Sequence, residues 1–99
     1  MIIDEFYNWF LTLIPPNNCE LEIQKINFGE NILDSTLKRT IVIDITNDNY
    51  IGKFVVWDDN SCFFELIEIL SEKNVLHQRK DFNNLEELKT LYKNIEKYF

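Results

Sequence analysis

Residues 50–69, YIGKFVVWDDNSCFFELIEI, contain the pattern that decides the fold of this chain. Aromatic and β-branched residues, which favour strands, crowd both sides of Asp58-Asp59-Asn60, a run of residue types that favours a tight turn. Two such runs joined by a short turn predict a β-hairpin, whose two strands are antiparallel. This stretch therefore predicts an antiparallel sheet, and the flanking sequence shows how far the sheet extends.

Alternating polar and apolar residues also mark the chain before the hairpin. Residues 40–46 alternate cleanly, and residues 47–49, Asn-Asp-Asn, favour a turn into the hairpin. Residues 19–23 alternate as well, and the apolar set then changes parity, which predicts a bulge near Gln24 or Lys25. After the hairpin, a further reversal at Glu72-Lys73-Asn74 leads into a last strand. Short connections between strands predict an antiparallel meander of four to five strands.

Helical periodicity appears at both ends of the chain. Residues 2–14 place apolar side chains at helical spacing until Pro15-Pro16, so this helix is predicted to end near Leu13 or Ile14. Residues 85–99 form a second apolar stripe after an Asn-Asn pair suited to capping a helix. We expect an α+β fold in which an N-terminal helix, the meander and a C-terminal helix form a single domain over residues 1–99, with both helices packed on one face of the sheet.

The composition excludes several classes of function. The net charge of −7 repels phosphate backbones, so we expect no nucleic-acid partner. No apolar run approaches the length of a bilayer span, and the acidic start does not suit a secretory signal, so we expect no membrane partner and a cytoplasmic location. Residues 1–60 contain ten acidic and four basic side chains. This imbalance serves either solubility or attraction to a basic protein.

The residues needed for catalysis or for metal binding are sparse. His77 is the single histidine, Cys19 and Cys62 form no paired motif, and the two glycines form no phosphate-binding loop. Asp58 and Asp59 offer oxygen ligands without the spacing of a calcium loop. We therefore expect no enzyme activity, no cofactor and no metal.

The strand alternation also predicts which side chains point away from the helices. Lys53 is charged, so the residues that alternate in step with it along this strand are predicted to point outward. The predicted outward set consists of apolar and aromatic residues ringed by charge, a composition typical of protein contacts. Its members are Asp44, Lys53, Val55, Trp57, Asp58, Asp59, Phe63, Glu65 and Ile67. The alternatives are that a loop or helix covers these aromatic residues, or that a second copy does.

Two segments together resemble a known family. The segment IGKFVVWDDNSCFFELIEI, followed by the acidic and leucine-rich LEELKTLYKNIEKYF, resembles the TriTu-type immunity proteins of bacterial polymorphic toxin systems. The resemblance runs from about Arg39 to the C-terminus. It rests on Ile51-Gly52-Lys53 leading to Val56-Trp57, then on Ser61-Cys62 and Glu65. Asn60 replaces the glycine common in that turn, and Phe63 replaces a polar residue.

The resemblance implies a function and a partner. Proteins of this kind are not enzymes; they bind the catalytic domain of a toxin encoded beside them and inactivate it. Many such toxins attack nucleic acids through basic clefts, so the expected partner is the C-terminal domain of a cognate toxin, held by non-covalent occlusion. The acidic residues among the predicted set would match the basic cleft, while Trp57 and Phe63 would anchor the contact. The alternatives are a homodimeric structural or adaptor module and a small cone-shaped ligand-binding domain.

Overall fold

A computed structural model describes residues 1–16, 18–28 and 38–99 of the chain. Its elements follow the predicted order of one helix, a meander of strands and a second helix, and the number of strands is five. The elements are α1 (Ile2–Phe10), β1 (Glu20–Ile26), β2 (Thr40–Thr46), β3 (Tyr50–Trp57), β4 (Ser61–Glu68), β5 (Lys73–Asp81) and α2 (Leu85–Glu96). The predicted α+β architecture is confirmed.

The five strands form one open antiparallel sheet in the order of the chain, so β1 and β5 are its two edges. The turns before and after β3 use residues suited to them. The Asn47 side-chain oxygen accepts hydrogen bonds from the Asn49 and Tyr50 amides at 2.8 and 2.7 Å, and Asn60 adopts a left-handed φ of 64°. Asn60 therefore supplies the backbone geometry that a glycine commonly supplies in such turns.

The predicted bulge in the first strand is wrong. β1 pairs residue for residue with β2 along its whole length, and the register shift lies between Leu66 and Ile67, where β4 meets β5. Ile26 instead stays in register on the far face and is 42% exposed. Lys25 lies on the helix side, where its ammonium sits 4.2 Å from the centre of the Tyr7 ring. A cation–π contact accommodates the charge without a slip in register.

Both helices pack against the same face of the sheet, because the buried cluster joins their apolar sides to alternate residues of the strands. The cluster contains Ile3, Phe6, Phe10, Ile41, Ile43, Phe54, Val56, Cys62, Phe64, Phe82, Leu88, Tyr92 and Ile95. Neither helix of the described ranges is long and apolar enough to cross a membrane.

The helix ends follow from local hydrogen bonds. α1 ends at Phe10, earlier than predicted, because the Thr12 and Leu13 amides bond to the carbonyls three residues back and the Thr12 hydroxyl donates to the Trp9 carbonyl at 2.6 Å. α2 begins with a reciprocal cap. The Asn84 side chain accepts from the Glu87 amide at 2.9 Å, and the Glu87 carboxylate accepts from the Asn83 amide at 2.8 Å.

Tyr92 is the centre of an aromatic cluster. Its ring lies 5.5 Å from those of Phe10 and Phe54, and about as close to Phe6 and Trp9, at steep interplanar angles. Burial, assisted by the charge of Glu96, raises the pKa of its hydroxyl. Burial likewise raises the pKa of the Cys62 thiol, to about 11. The rings beneath the first helix therefore pack against one another.

Gly52 has a close-packing role that a substitution can test. A Cβ atom at this position would lie 2.8 Å from Cγ2 of Ile45 and 3.1 Å from the ring of Phe99. We expect Gly52→Ala to lower the free energy of unfolding by about 1 to 3 kcal/mol, measured by urea denaturation, because the neighbours must move. In the double variant Gly52→Ala/Ile45→Ala the clashing methyl group of Ile45 is gone. The losses in free energy of unfolding caused by Gly52→Ala alone and Ile45→Ala alone should therefore sum to more than the loss measured for the double variant. Strict additivity would contradict this account.

Candidate functional site

The face of the sheet opposite the helices, called the outer face below, carries side chains from all five strands. The strand register sets these side chains in four rows that cross the sheet. The rows are Glu20-Thr46-Ile51-Ile67-Asn74, then Glu22-Asp44-Lys53-Glu65-His77, then Gln24-Val42-Val55-Phe63-Arg79, and finally Ile26-Thr40-Trp57-Ser61-Asp81. Seven of the nine predicted contact residues therefore lie together on the outer face, and Asp58 and Asp59 lie in the turn at its end.

Trp57 and Phe63 are half-buried on the outer face, and side chains of β5 flank them. The Arg79 guanidinium lies 4.9 Å from the Trp57 ring centre, and the His77 ring meets the Phe63 ring edge-on at 5.1 Å. Arg79 also donates to the Ser61 hydroxyl at 3.3 Å. These contacts hold the two aromatic rings in defined positions and leave part of each exposed.

The remaining apolar residues of the outer face differ in exposure. Ile51 is 47% exposed and Ile67 is half-buried, and the two form a separate apolar pair beyond the charged row of Lys53 and Glu65. Val55 has the predicted outward parity but is only 8% exposed. Its direct partners on the neighbouring strands are Val42 and Phe63, and apolar neighbours on both sides leave little of its side chain exposed. Val55 therefore contributes packing to the outer face and little exposed surface.

Asp58 and Asp59 are held by contacts within the protein. Asp59 accepts from the Lys38 ammonium at 2.6 Å and from both the amide and the hydroxyl of Ser61. The bond from Lys38, followed by the bond from the Ser61 hydroxyl, keeps the pKa of Asp59 below its usual value. Asp58 accepts from the Arg39 amide at 3.1 Å. The two carboxylates thus fasten the turn to the start of β2, and their charges are partly neutralised.

Arg39 extends this network to the first helix. Its guanidinium donates to both carboxylate oxygens of Asp4, at 3.1 and 3.2 Å, while its Nε lies 3.8 Å from the Asp58 carboxylate. One arginine thereby connects α1, the start of β2 and the turn between β3 and β4.

A different group of acids forms no ion pair in the part of the chain that the structure describes. Glu20, Glu22 and Asp44 line a depression of about 310 Å³ at the β1–β2 side of the outer face. No ion pair within 4.0 Å among the described residues involves any of the three. Glu22 lies directly opposite Asp44, an arrangement of like charges that costs stability in an antiparallel sheet. The free negative charge of this face is concentrated here.

The sequence did not identify Glu20 and Glu22 as candidate contact residues, because they fit the ordinary solvent-facing side of a strand. The usable signal was their parity: they alternate with Leu21 and Ile23, and Asp44 has the same outward parity on the next strand. Glu65 and Lys53, which were predicted, lie farther along the same row as Glu22 and Asp44. Glu65 is half-buried, with its carboxylate 3.5 Å from Nδ1 of His77, and Lys53 is exposed.

Within the described ranges, no group of three or more histidine, cysteine, aspartate or glutamate side chains is placed to hold a metal ion.

A comparison with protein-family models matches residues 4–97 to the family described as "Immunity protein TriTu". The match begins in α1, well upstream of Arg39, and includes all five strands and the whole of α2. A comparison with curated proteins finds no match.

Proposed function

The chain belongs to the TriTu family of immunity proteins, and we propose that its outer face binds a cognate bacterial toxin domain and neutralises it by non-covalent occlusion. In this proposal residues 1–99 act as one unit, need no cofactor and perform no catalysis. The protein works in the cytoplasm, where a toxin that enters or is made in the cell meets its target.

The observation that carries this proposal is the composition of the outer face. The helices pack on the other side, and no helix of the described ranges covers the partly exposed rings of Trp57 and Phe63 toward one end of the face or the side chains of Ile51 and Ile67 at the other end. Aromatic side chains with fixed positions are the residue type that most often dominates binding energy at protein interfaces. We assign Trp57 and Phe63 to anchoring, with Ile51 and Ile67 as a second apolar contact across the charged row of Lys53 and Glu65.

Electrostatics favour a basic partner, such as the active-site cleft of a nuclease. The protein has a net charge of −7, and the carboxylates of Glu20, Glu22 and Asp44 form no ion pair within the described structure. Charge of this kind speeds encounter with a positively charged surface. In this proposal Lys53 and Glu65 help to set the orientation of the toxin, while Asp58 and Asp59 contribute less, because Lys38 and Arg39 already pair with them.

The proposal is tested with the toxin domain encoded in the adjacent reading frame, produced as a catalytically inactive variant. We expect the unmodified protein to bind this domain and to restore growth when it is co-expressed with the active form. Trp57→Ala should weaken binding about 30-fold, measured by titration calorimetry, because truncating a central anchor typically costs 2 kcal/mol or more.

Leu70→Ala is the matched control, since Leu70 is apolar and 96% exposed in the turn between β4 and β5. This variant should bind as the unmodified protein does. Equal binding by Trp57→Ala would exclude the outer face as the contact surface, and failure of the unmodified protein to bind or to protect would exclude neutralisation of that toxin.

A homodimer is the second candidate. The outer face carries acidic side chains at β1 and β2 and the cationic Arg79 at β5, so two copies packed face to face about a two-fold axis parallel to the strands would present opposite charges to each other. Sedimentation equilibrium distinguishes the two candidates. A dimer that Trp57→Ala dissociates, combined with no affinity for the adjacent toxin, would favour self-association over immunity.

A further inference from the structure

The edge strand β5 offers main-chain groups that make no backbone hydrogen bond among the described residues and lie next to the outer face. The Phe82 amide donates to the Asn60 carbonyl at 2.9 Å, which fixes the phase of the ladder between β4 and β5. Hydrogen-bonded and non-hydrogen-bonded pairs alternate in an antiparallel ladder, so Leu76, Gln78 and Lys80 bond to β4. The N–H and C=O groups of the alternate residues His77, Arg79 and Asp81 therefore point away from the sheet.

The regular part of this edge begins after the register shift. Leu76 pairs with Leu66 whereas Asn74 pairs with Ile67, so Val75 is an extra residue on β5. A bulge of this kind bends a strand and ends regular pairing. The segment able to pair with another strand is therefore the one from Leu76 to Asp81.

Both sides of this segment border surfaces that side chains of an added strand would reach. On the outer face, His77 and Arg79 contact Phe63 and Trp57, so an added strand would continue the surface proposed for the toxin. On the opposite side lies a groove of about 470 Å³ between β5 and α2. Its lining residues are Lys80, Asp81, Asn84, Glu86, Glu87, Thr90 and Leu91.

The charges of the edge identify the chemistry of the strand that fits it. The segment from Leu76 to Asp81 carries two cations, Arg79 and Lys80, and one carboxylate, Asp81, and none of the three makes an ion pair within 4.0 Å among the described residues. A second copy paired about a two-fold axis at Arg79 would set two guanidinium groups against each other, and facing like charges destabilise such a pairing. The edge is thus suited to a strand with acidic side chains opposite Arg79.

We propose that β5 binds, by strand addition, an extended segment of the cognate toxin with carboxylates beside Arg79 and His77 and an apolar side chain over the groove at Leu91. Main-chain hydrogen bonds to His77, Arg79 and Asp81 supply affinity, and the flanking side chains supply specificity. This inference rests on the proposed function and adds to it the segment of the toxin that is recognised.

A proline substitution at His77 tests the strand addition directly. Proline lacks the N–H donor, and its ring occupies the space of an incoming strand, yet this N–H makes no bond to β4. The control is His77→Thr, which removes the same imidazole and keeps the donor. With the inactive toxin domain of the adjacent reading frame as probe, we expect His77→Pro to raise Kd at least about tenfold over His77→Thr. Equal affinities of the two variants would overturn the strand addition.

Hydrogen exchange on the unmodified protein gives a second readout that does not depend on how well the proline variant folds. The amides of His77, Arg79 and Asp81 should exchange quickly in the free protein and become protected in the complex. Unprotected edge amides in a complex that does form would overturn the strand addition and leave the proposed function standing. Absence of any complex would overturn the proposed function and this inference with it.

Discussion

Replacing Phe54 by alanine is expected to lower the free energy of unfolding by about 3 to 5 kcal/mol. The Phe54 side chain is fully buried at the centre of β3. Its ring stacks on Phe64 with centroids 6.0 Å apart, and it meets Tyr92 edge-on at 5.5 Å. Alanine would leave a cavity between the sheet and both helices, which cannot close because the surrounding rings contact one another.

Urea denaturation followed by circular dichroism measures this loss. The control is Ile51→Ala, an apolar truncation on the same strand at a residue that is 47% exposed on the opposite face. This change should cost less than about 1 kcal/mol. A loss below about 1.5 kcal/mol for Phe54→Ala, with an unchanged denaturant dependence, would show that the ring does not connect the helices to the sheet.

Reversing two charges on the acidic side of the outer face is expected to slow association with the toxin about 100-fold at low ionic strength. The variant is Glu22→Lys/Asp44→Lys, which converts the repulsive pair facing each other on β1 and β2 into two cations. A basic toxin surface would then be repelled at the place where the described structure leaves negative charge unpaired. Stopped-flow association rates at several salt concentrations measure the effect, which salt should reduce.

The matched control changes the net charge by the same amount elsewhere. Asp48→Lys/Glu72→Lys alters two exposed acids in the turns beside Asn47 and before β5. We expect this variant to slow association much less. If both double variants slow it equally, the overall charge of the protein attracts the toxin, and the depression at Glu22 and Asp44 has no special role.

The order of elements could be predicted from the sequence because each element has its own period. Ile41, Ile43 and Ile45 alternate without interruption, and all three lie in the core. The alternation of polar and apolar residues failed to predict strand register where the register depends on neighbours across the sheet. Ile26 looked like the sign of a slipped strand, yet it is tolerated as an exposed residue at an edge.

The sequence predicted which side of the sheet carries the candidate site, but it did not predict the side-chain contacts within that site. Parity placed Trp57 and Phe63 on the correct side of the sheet, but it gave no information about side chains that arrive from distant parts of the chain. Asp59 bonds to Lys38, twenty-one residues away, and this partner reduces the charge that Asp59 offers to a toxin. The like-charged pair of Glu22 and Asp44 required the register of β1 against β2, which a single sequence does not specify.

The two tryptophans lie on opposite sides of the sheet, so the protein contains two separate optical probes. Trp9 is on α1 among the buried rings, with the ammonium groups of Lys89 and Lys93 within 6 Å of its ring centre, whereas Trp57 lies under Arg79 on the outer face. The emission of Trp9 therefore reports on the integrity of the core, and that of Trp57 reports on what touches the exposed side. Variants that retain only one of the two tryptophans therefore allow unfolding and complex formation to be followed separately by fluorescence.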